Sequence, residues 1–542
     1  MASATLTELY ADDDFLLLAK SIGEFGSREL APYLRQLDQE KFPERFLALA
    51  ANGGFLGTVV PEEYGGHGGT LEGFLPIMEG IAACDGSLAL TLAAHESLAT
   101  THILLGASRE QKRKYLPNLT SGRETGAWCL TEPQAGSNIF KDTRTKLVKT
   151  GDGWRLNGEK AFITNGCHAD LFVVLAQAIG HDGKDEGMTA CIVERKGNEN
   201  RIAATPLHDK MGMRRSDTAT LRFDDVAVTD EAVLPPVGSG GKVARQVLSR
   251  GRIGISALAL GLARDSLERA TAYAKERKVG GGLLFNQPLT RAKLSRMEEN
   301  LWVAWQAVHG AARCADQSQP FKVQACMAKV FATETALRIT DEALQILGGY
   351  GYMREYKVEQ NYRDARLLAI GEGASEILRF AITRNLLAPT SGDDNVMPPL
   401  ESLANAAGEY RGPMSTLWGP SWRALELATE ALHIVREQVV EESRRPDFAS
   451  FWQCRAAGFA DLATKLWVSN QVILAGTKLV NQGRASQKQM KLVRNFLIFS
   501  SIEICHKASV LFRTTGLTDA RLFTNYIEAL QNGATGNSPS RG

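Results

Sequence analysis

The feature that most constrains this chain is a change of period in its middle. From Trp128 to about Val237 the sequence reads as short strands, and on both sides it reads as helices. The β-rich runs are Thr145 to Val148, Trp154 to Leu156, Leu171 to Leu175, Thr189 to Val193 and Thr218 to Phe223. They alternate with polar turns, and Asp152-Gly153 marks a hairpin. Upstream, apolar residues recur at three and four, as in Phe15, Leu18, Ala19 and Ile22. Downstream, Pro235 to Gly241 reads as a linker, followed by helical runs near 242–278, 289–316 and 321–347, the last stopping at Gly348-Gly349. The expected fold is α+β and mostly α. A helical domain (1–127) precedes a middle antiparallel β-domain of six or seven strands (128–237), then a helical bundle (238–388). Beyond the linker Ala388 to Pro399 comes an additional helical extension (389–542) with a disordered tail from Gly533.

A length of 542 residues suits three or four domains. The content of 44% hydrophobic and 23% charged residues is that of a soluble protein, and no apolar run is read as reaching the roughly 18 residues of a membrane span. The acidic start argues against a secretory signal. Eight scattered cysteines read as reduced thiols, with no disulfide frame and no metal site, so a cytoplasmic location is expected. The net charge of +1 excludes a general polyanion binder, and no nucleic-acid partner is expected. The end differs: from Ser450 to Gly542 there are eleven Lys/Arg against four Asp/Glu. Arg484, Lys488, Lys491 and Arg494 fall at helical spacing opposite Leu492, Val493, Phe496 and Leu497. This is a surface helix, or a site of peripheral contact with a membrane face.

Three segments carry chemistry. In Leu130 to Ser137 (LTEPQAGS), small residues let the backbone approach a flat or phosphorylated ligand, although a plain turn has the same composition. Leu156 to Gly166 (LNGEKAFITNG) follows one hairpin later. Gln345 to Tyr352 (QILGGYGY) precedes Arg363-Asp364-Ala365 and then Gly371 to Ile377 (GEGASEI). Taken together and in this order, they resemble the signatures of the FAD-dependent acyl-CoA dehydrogenase family over residues from about 10 to 388. The extension is placed like that of very-long-chain members.

That resemblance implies roles. Glu372 would be the catalytic base. Trp128, Leu130, Thr131, Gly136, Ser137, Phe162, Ile163 and Thr164 would line the flavin ring, with Phe162 where tryptophan is usual. Arg277 and Gln287 would meet its pyrophosphate and adenosine end. Gln345, Gly348 and Gly349 would complete that end across a homodimer interface, with Ala374, Ser375 and Glu376 beside the cofactor. Ser137, Ser249, Arg252, Gly371 and Gly373 would contact acyl-CoA. The implied reaction is α,β-dehydrogenation to the trans-2-enoyl-CoA, with electrons passed to an electron-transferring flavoprotein; an oxygen-using oxidase or monooxygenase of the same fold is the alternative, and a non-catalytic nucleic-acid-binding family member, suggested by the basic end, is the less favoured one. Departures from the pattern are Asn138 in place of aspartate, Gly280 in place of phenylalanine, and Gly371 in place of a bulky tyrosine, which points to long or branched acyl chains. Family members with their base on another helix carry it at the position of Gly251, which has no carboxylate. His95-Glu96 reads as structural, and Cys167-His168 lacks the partners of a metal site.

Overall fold

The computed structural model describes residues 13–37, 41–387, 417–442 and 452–513. Most of the acidic start, the linker Ala388 to Pro399 and the tail from Gly533 lie outside them. Ahead of the strands run α1 (Asp13–Phe25), α2 (Leu71–Cys84), α3 (Gly86–Gly106) and α4 (Arg109–Thr120). Their starts follow local chemistry. Thr70 accepts from Gly73 N, Asp85 accepts from Ser87 N and Leu88 N, and Ser108 with Gln111 closes a reciprocal capping box. Each satisfies N–H groups that a helix start leaves open.

Within α3, Ala93–Thr100 is π-helical, a widened turn that often marks functional sites. By length and composition α3 could cross a membrane, with a mean hydropathy of 1.2, yet 78% of that window is buried inside the protein. It is a core helix. A count of apolar residues alone misses it, because His95, Glu96 and Ser97 interrupt the run.

The strands are β1 (Gly126–Cys129), β2 (Lys146–Thr150), β3 (Gly153–Thr164), β4 (Leu171–Ile179), β5 (Asp185–Glu194), β6 (Ile202–Pro206) and β7 (Thr218–Val228). They form one sheet in the order β1-β4-β2-β3-β7-β6, with β5 also on β4. The sheet is mixed rather than purely antiparallel: β4 runs parallel to both β1 and β2, and the other pairings are antiparallel. The β2–β3 hairpin pairs Thr150 with Gly153, so its two-residue turn is Gly151-Asp152, one position before the expected one. Alternation along β4 builds two cores. Leu171, Val173 and Leu175 join Leu116, Leu119 and Val247 of the helices, whereas Phe172, Val174 and Ala176 meet Cys191, Leu221 and Phe223 on the far face.

After the sheet come α5 (Gly240–Glu276), α6 (Pro288–Asp316), α7 (Lys322–Leu347), α8 (Val358–Leu368), α9 (Ser375–Leu387), α10 (Pro420–Glu442), α11 (Trp452–Asn481) and α12 (Gln487–Arg513). The chain divides into two compact units: Met1–Leu301 with Ala332–Ala374, and Trp302–Phe331 with Ser375–Gly542. The division passes within α6 and α7. In the second unit, α9 is tied to α11 by Arg379 Nε to Asp461 Oδ1 at 2.7 Å and Thr383 Oγ1 to the Ala456 carbonyl at 2.6 Å. On α12, Leu492, Val493 and Leu497 are buried while Lys488, Lys491 and Arg494 are exposed. Arg484 sits in the turn before the helix, not on its face.

Candidate active site

Two of the sequence segments meet through a buried lysine. Lys160 of β3 is fully buried, and its ammonium donates to the Leu130 carbonyl at 2.9 Å and to Glu132 Oε1 at 2.8 Å. Glu132 also accepts from Thr145 N at Oε1, and from Arg144 N and Gln134 Nε2 at Oε2. Burial pushes the Glu132 carboxyl up, but Lys160 and these donors more than offset it and hold it below the usual range. Ala161 N donates to the Thr131 carbonyl at 2.9 Å. The loop bearing Leu130, Thr131, Gly136 and Ser137 is thereby fixed to the strand bearing Phe162, Ile163 and Thr164.

These residues fit a flat flavin. Phe162 is 70% exposed at φ +56°, where the β3–β7 register shifts. Side chains seldom occupy this backbone region without a functional or structural constraint. A Cβ added at Gly136 would meet no atom within 4 Å, so the loop's outer side admits a ring. Ser137 is exposed and Thr164 half-buried. Trp128 faces inward: its indole donates to His102 Nδ1 at 3.0 Å.

The base turn is built differently. Glu372 adopts φ +53° between Gly371 and Gly373, and Gly373 itself has φ +101°. Its carbonyl accepts from Arg252 Nε at 3.1 Å, and its carboxylate oxygen Oε2 is buried. A Cβ at Gly251 would lie 2.5 Å from that oxygen and 2.9 Å from Leu98 Cδ2. The glycine that cannot supply a base therefore makes room for the base present, and the π-helical turn of α3 walls it through Leu98. A Cβ at Gly371 would come no nearer than 3.7 Å to another group, the Leu367 carbonyl. Ser249 is buried and donates to the Arg245 carbonyl at 2.9 Å, so its hydroxyl proton is committed to its own helix.

A third group gathers at the end of α5. The Arg277 guanidinium lies 5.8 Å from the Tyr350 ring, one residue past Gly348-Gly349, and Gln345 is exposed nearby in sequence. Gly348 has φ +61° with nothing within 4 Å of an added Cβ. Gln287 ends the short turn before α6, its carbonyl accepting from Arg291 N. Ala374 ends the first unit, and Ser375 and Glu376 begin the later segment of the second.

Sequence reasoning missed Lys160 and Glu132 as a pair, since 28 residues separate them in the chain. It named Glu96 and Asp364 but did not foresee how deeply they are buried. Burial pushes Glu96 up to about 7 although Gly57 N donates to it at 2.8 Å. Burial and neighbouring Asp85 push Asp364 to about 7. Asp364 accepts from Met213 N and thereby ties α8 to the loop before β7. His95 is structural, as read: it accepts from Gly126 N and reaches the Leu119 carbonyl, both at 3.0 Å. Among the described residues no cluster of metal-ligating side chains occurs.

Comparison with known proteins gives a consistent answer. Models for the N-terminal, middle and C-terminal domains of acyl-CoA dehydrogenase match residues 12–123, 127–226 and 238–387. A short-chain specific acyl-CoA dehydrogenase of Clostridium acetobutylicum is 35% identical over 368 residues, 68% of this chain and 96% of the relative. A chain in a structure described as the electron transferring flavoprotein of Acidaminococcus fermentans is similar at a TM-score of 0.67 and 34% identity, covering 70% of this chain and 99% of that one. An acyl-CoA dehydrogenase complexed with FAD from Bacillus anthracis matches at a TM-score of 0.85 and 26% identity. That match covers 96% of this chain and 92% of the other, and so reaches into the extension.

Proposed function

This chain belongs to the acyl-CoA dehydrogenase family, and from that premise we propose that Glu372 removes the α-proton of a long-chain or branched acyl-CoA whose electrons pass to an electron-transferring flavoprotein. The enzyme is an FAD-dependent oxidoreductase of CH–CH bonds. The observation that carries the assignment of the base is the glycine-flanked Glu372 turn, with a buried carboxylate oxygen directly over Gly251.

The substrate loses one proton and one hydride to become the trans-2-enoyl thioester. The flavin, when bound, supplies the hydride acceptor. Glu372 takes the proton, and the burial of its Oε2 keeps that oxygen out of bulk water, which favours proton abstraction from a weak carbon acid. Arg252 anchors the Glu372 backbone so that the carboxylate addresses one place. The loop at Leu130 to Ser137 and Phe162 to Thr164 would hold the ring. Arg277, Gln345, Gly348 and Gly349 would hold the far end, completed by a second copy in a homodimer.

Long or branched chains are proposed because Gly371 leaves space beside the base. Anaerobic bleaching of the flavin by a panel of acyl-CoAs tests the reading. Fast bleaching by long or branched substrates is expected, with Gly371→Tyr shifting the preference toward shorter chains. A preference for butyryl-CoA unchanged by that substitution would place the enzyme with its short-chain relative. The extension, whose α11 packs on α9 within one unit, is proposed to limit assembly to the dimer. The exposed basic face of α12 with Phe499, 67% exposed, is proposed to allow peripheral membrane contact.

A further inference from the structure

A cavity of about 200 Å³ opens beside β7, lined by the Leu207–Lys210 and Arg214–Thr218 segments with Phe42 and His168. It lies apart from the residues assigned to the flavin and the base, although Thr218 pairs with Thr164. Three of its polar side chains, Lys210, Arg215 and Ser216, bring N–H or O–H groups to it. The Lys210 ammonium has three N–H groups and only neutral acceptors, the Ser216 carbonyl and Thr218 Oγ1. Burial pulls this lysine down to about 8, against the opposing pull of Asp217 and Asp364. The Ser216 hydroxyl is buried, with the residue 2% exposed, and has no hydrogen-bond partner among the described residues. Arg215 spends Nη1 on Asp85, while its buried Nε has no partner among them either.

Two carboxylates line the cavity: that of Asp209, an exposed residue, and that of Asp217, whose Oδ2 is already engaged. Asp217 accepts from Cys167 N, His168 N and His168 Nδ1. Strain holds the arrangement: Asp209 and Met213 both sit at positive φ, 55° and 52°. A loop that holds a half-buried ammonium on neutral acceptors alone, and buries a guanidinium N–H and a hydroxyl without partners among the described residues, carries a cost that an acceptor-only ligand removes.

We propose that this cavity binds a phosphate-class oxyanion through Lys210, Arg215 Nε and Ser216. Its volume equals roughly seven waters at about 30 Å³ each, enough for a tetrahedral anion and not for a whole nucleotide. The group could arrive as free phosphate or as the terminal phosphate of the CoA substrate.

Thermal melting of the FAD-loaded protein in inorganic phosphate, against sodium chloride of equal ionic strength, is the test. The variants are Ser216→Ala, which keeps the charge, and Lys210→Met. Phosphate stabilises proteins generally, so the readout is the difference from the variants. Wild type should gain about 2 °C or more beyond either variant. KM for an acyl-CoA and for its 3′-dephospho form then separates the sources. A variant penalty of several-fold with the phosphorylated substrate alone identifies the substrate's phosphate, and equal KM values with the melting effect retained identify free phosphate. Equal phosphate shifts in all three proteins, with no substrate-dependent penalty, would overturn the site.

Discussion

The loop expected to hold the flavin and the turn that carries the base lie in the same compact unit but are fixed by opposite means. Around Glu132 every carboxylate oxygen is engaged, and Lys160 adds a buried charge to the bonds. Around Glu372 the defining contact is missing bulk: Gly251 has no Cβ where the carboxylate rests, and Gly373, at φ +101°, accepts a backbone that other residues resist. A planar cofactor needs its cradle held in direction, which hydrogen bonds do. A base must approach carbon closely, and unfilled space permits that.

The largest expected effect tests the second half of that contrast. Glu372→Gln should retain FAD but lose about three decades or more in the rate of flavin reduction, since no carboxylate stands at residue 251 to substitute. Stopped-flow reduction near the wild-type rate would remove Glu372 from its role. Next comes the buried pair. Lys160→Met leaves Glu132 buried without its counter-charge, a change that costs about 3–5 kcal/mol in comparable pairs. Denaturant unfolding should show that loss, together with weakened FAD retention. Partial rescue by adding Glu132→Gln is expected, because it removes the unpaired charge.

Gly251→Ala should act oppositely. FAD content and melting should stay near wild type while kcat falls about 10- to 100-fold, because the new methyl would displace Oε2. Loss of FAD in this variant would mean that the two regions are not held independently. The smallest effect concerns Glu96. Its folded pKa, about 7, lies above the ordinary value, so the folded state holds a proton that the unfolded chain releases. The stabilisation is complete below about pH 4 and is lost as pH rises toward 7. Glu96→Gln should therefore flatten the decline in melting temperature between pH 5 and 8, by about 2–4 °C. A slope identical to wild type would show that Glu96 titrates normally.

The sequence exposed the parts of the fold that leave a local mark. Alternation and turn residues located β2, β3, β4, β5 and β7, and period-3.6 runs located α5, α6 and α7 to within a few residues. β1 was hidden because all four residues are buried and do not alternate. β6 was hidden because it is short and mostly exposed. Parallel pairing along β4 leaves no local signature, since the same apolar run serves either direction. In the site, Glu372 stood out through its place in the Gly371 to Ile377 segment that carries the family resemblance. The steric dependence on Gly251 and the Lys160–Glu132 bond join residues far apart in the chain, and only folding brings them together. For the cavity, Lys210, Arg215 and Ser216 lie close in the chain, but no local pattern shows which of their donors folding leaves without a partner.

The π-helical turn in α3 changes what it means for two residues of that helix to be neighbours. A helix with a widened turn is two rods of different phase, so the segment before Ala93 and the segment after Thr100 do not share one helical wheel. Thr91, whose carbonyl accepts from Asn165, belongs to the first phase, and His102, which receives the Trp128 indole, belongs to the second. Deleting a single residue between them would make a more regular helix, yet turn one segment against the other by about 100° and leave only one of those bonds able to form. A one-residue length difference here between homologous chains is thus a rotation, and a comparison that treats it as a gap would align side chains that point in different directions.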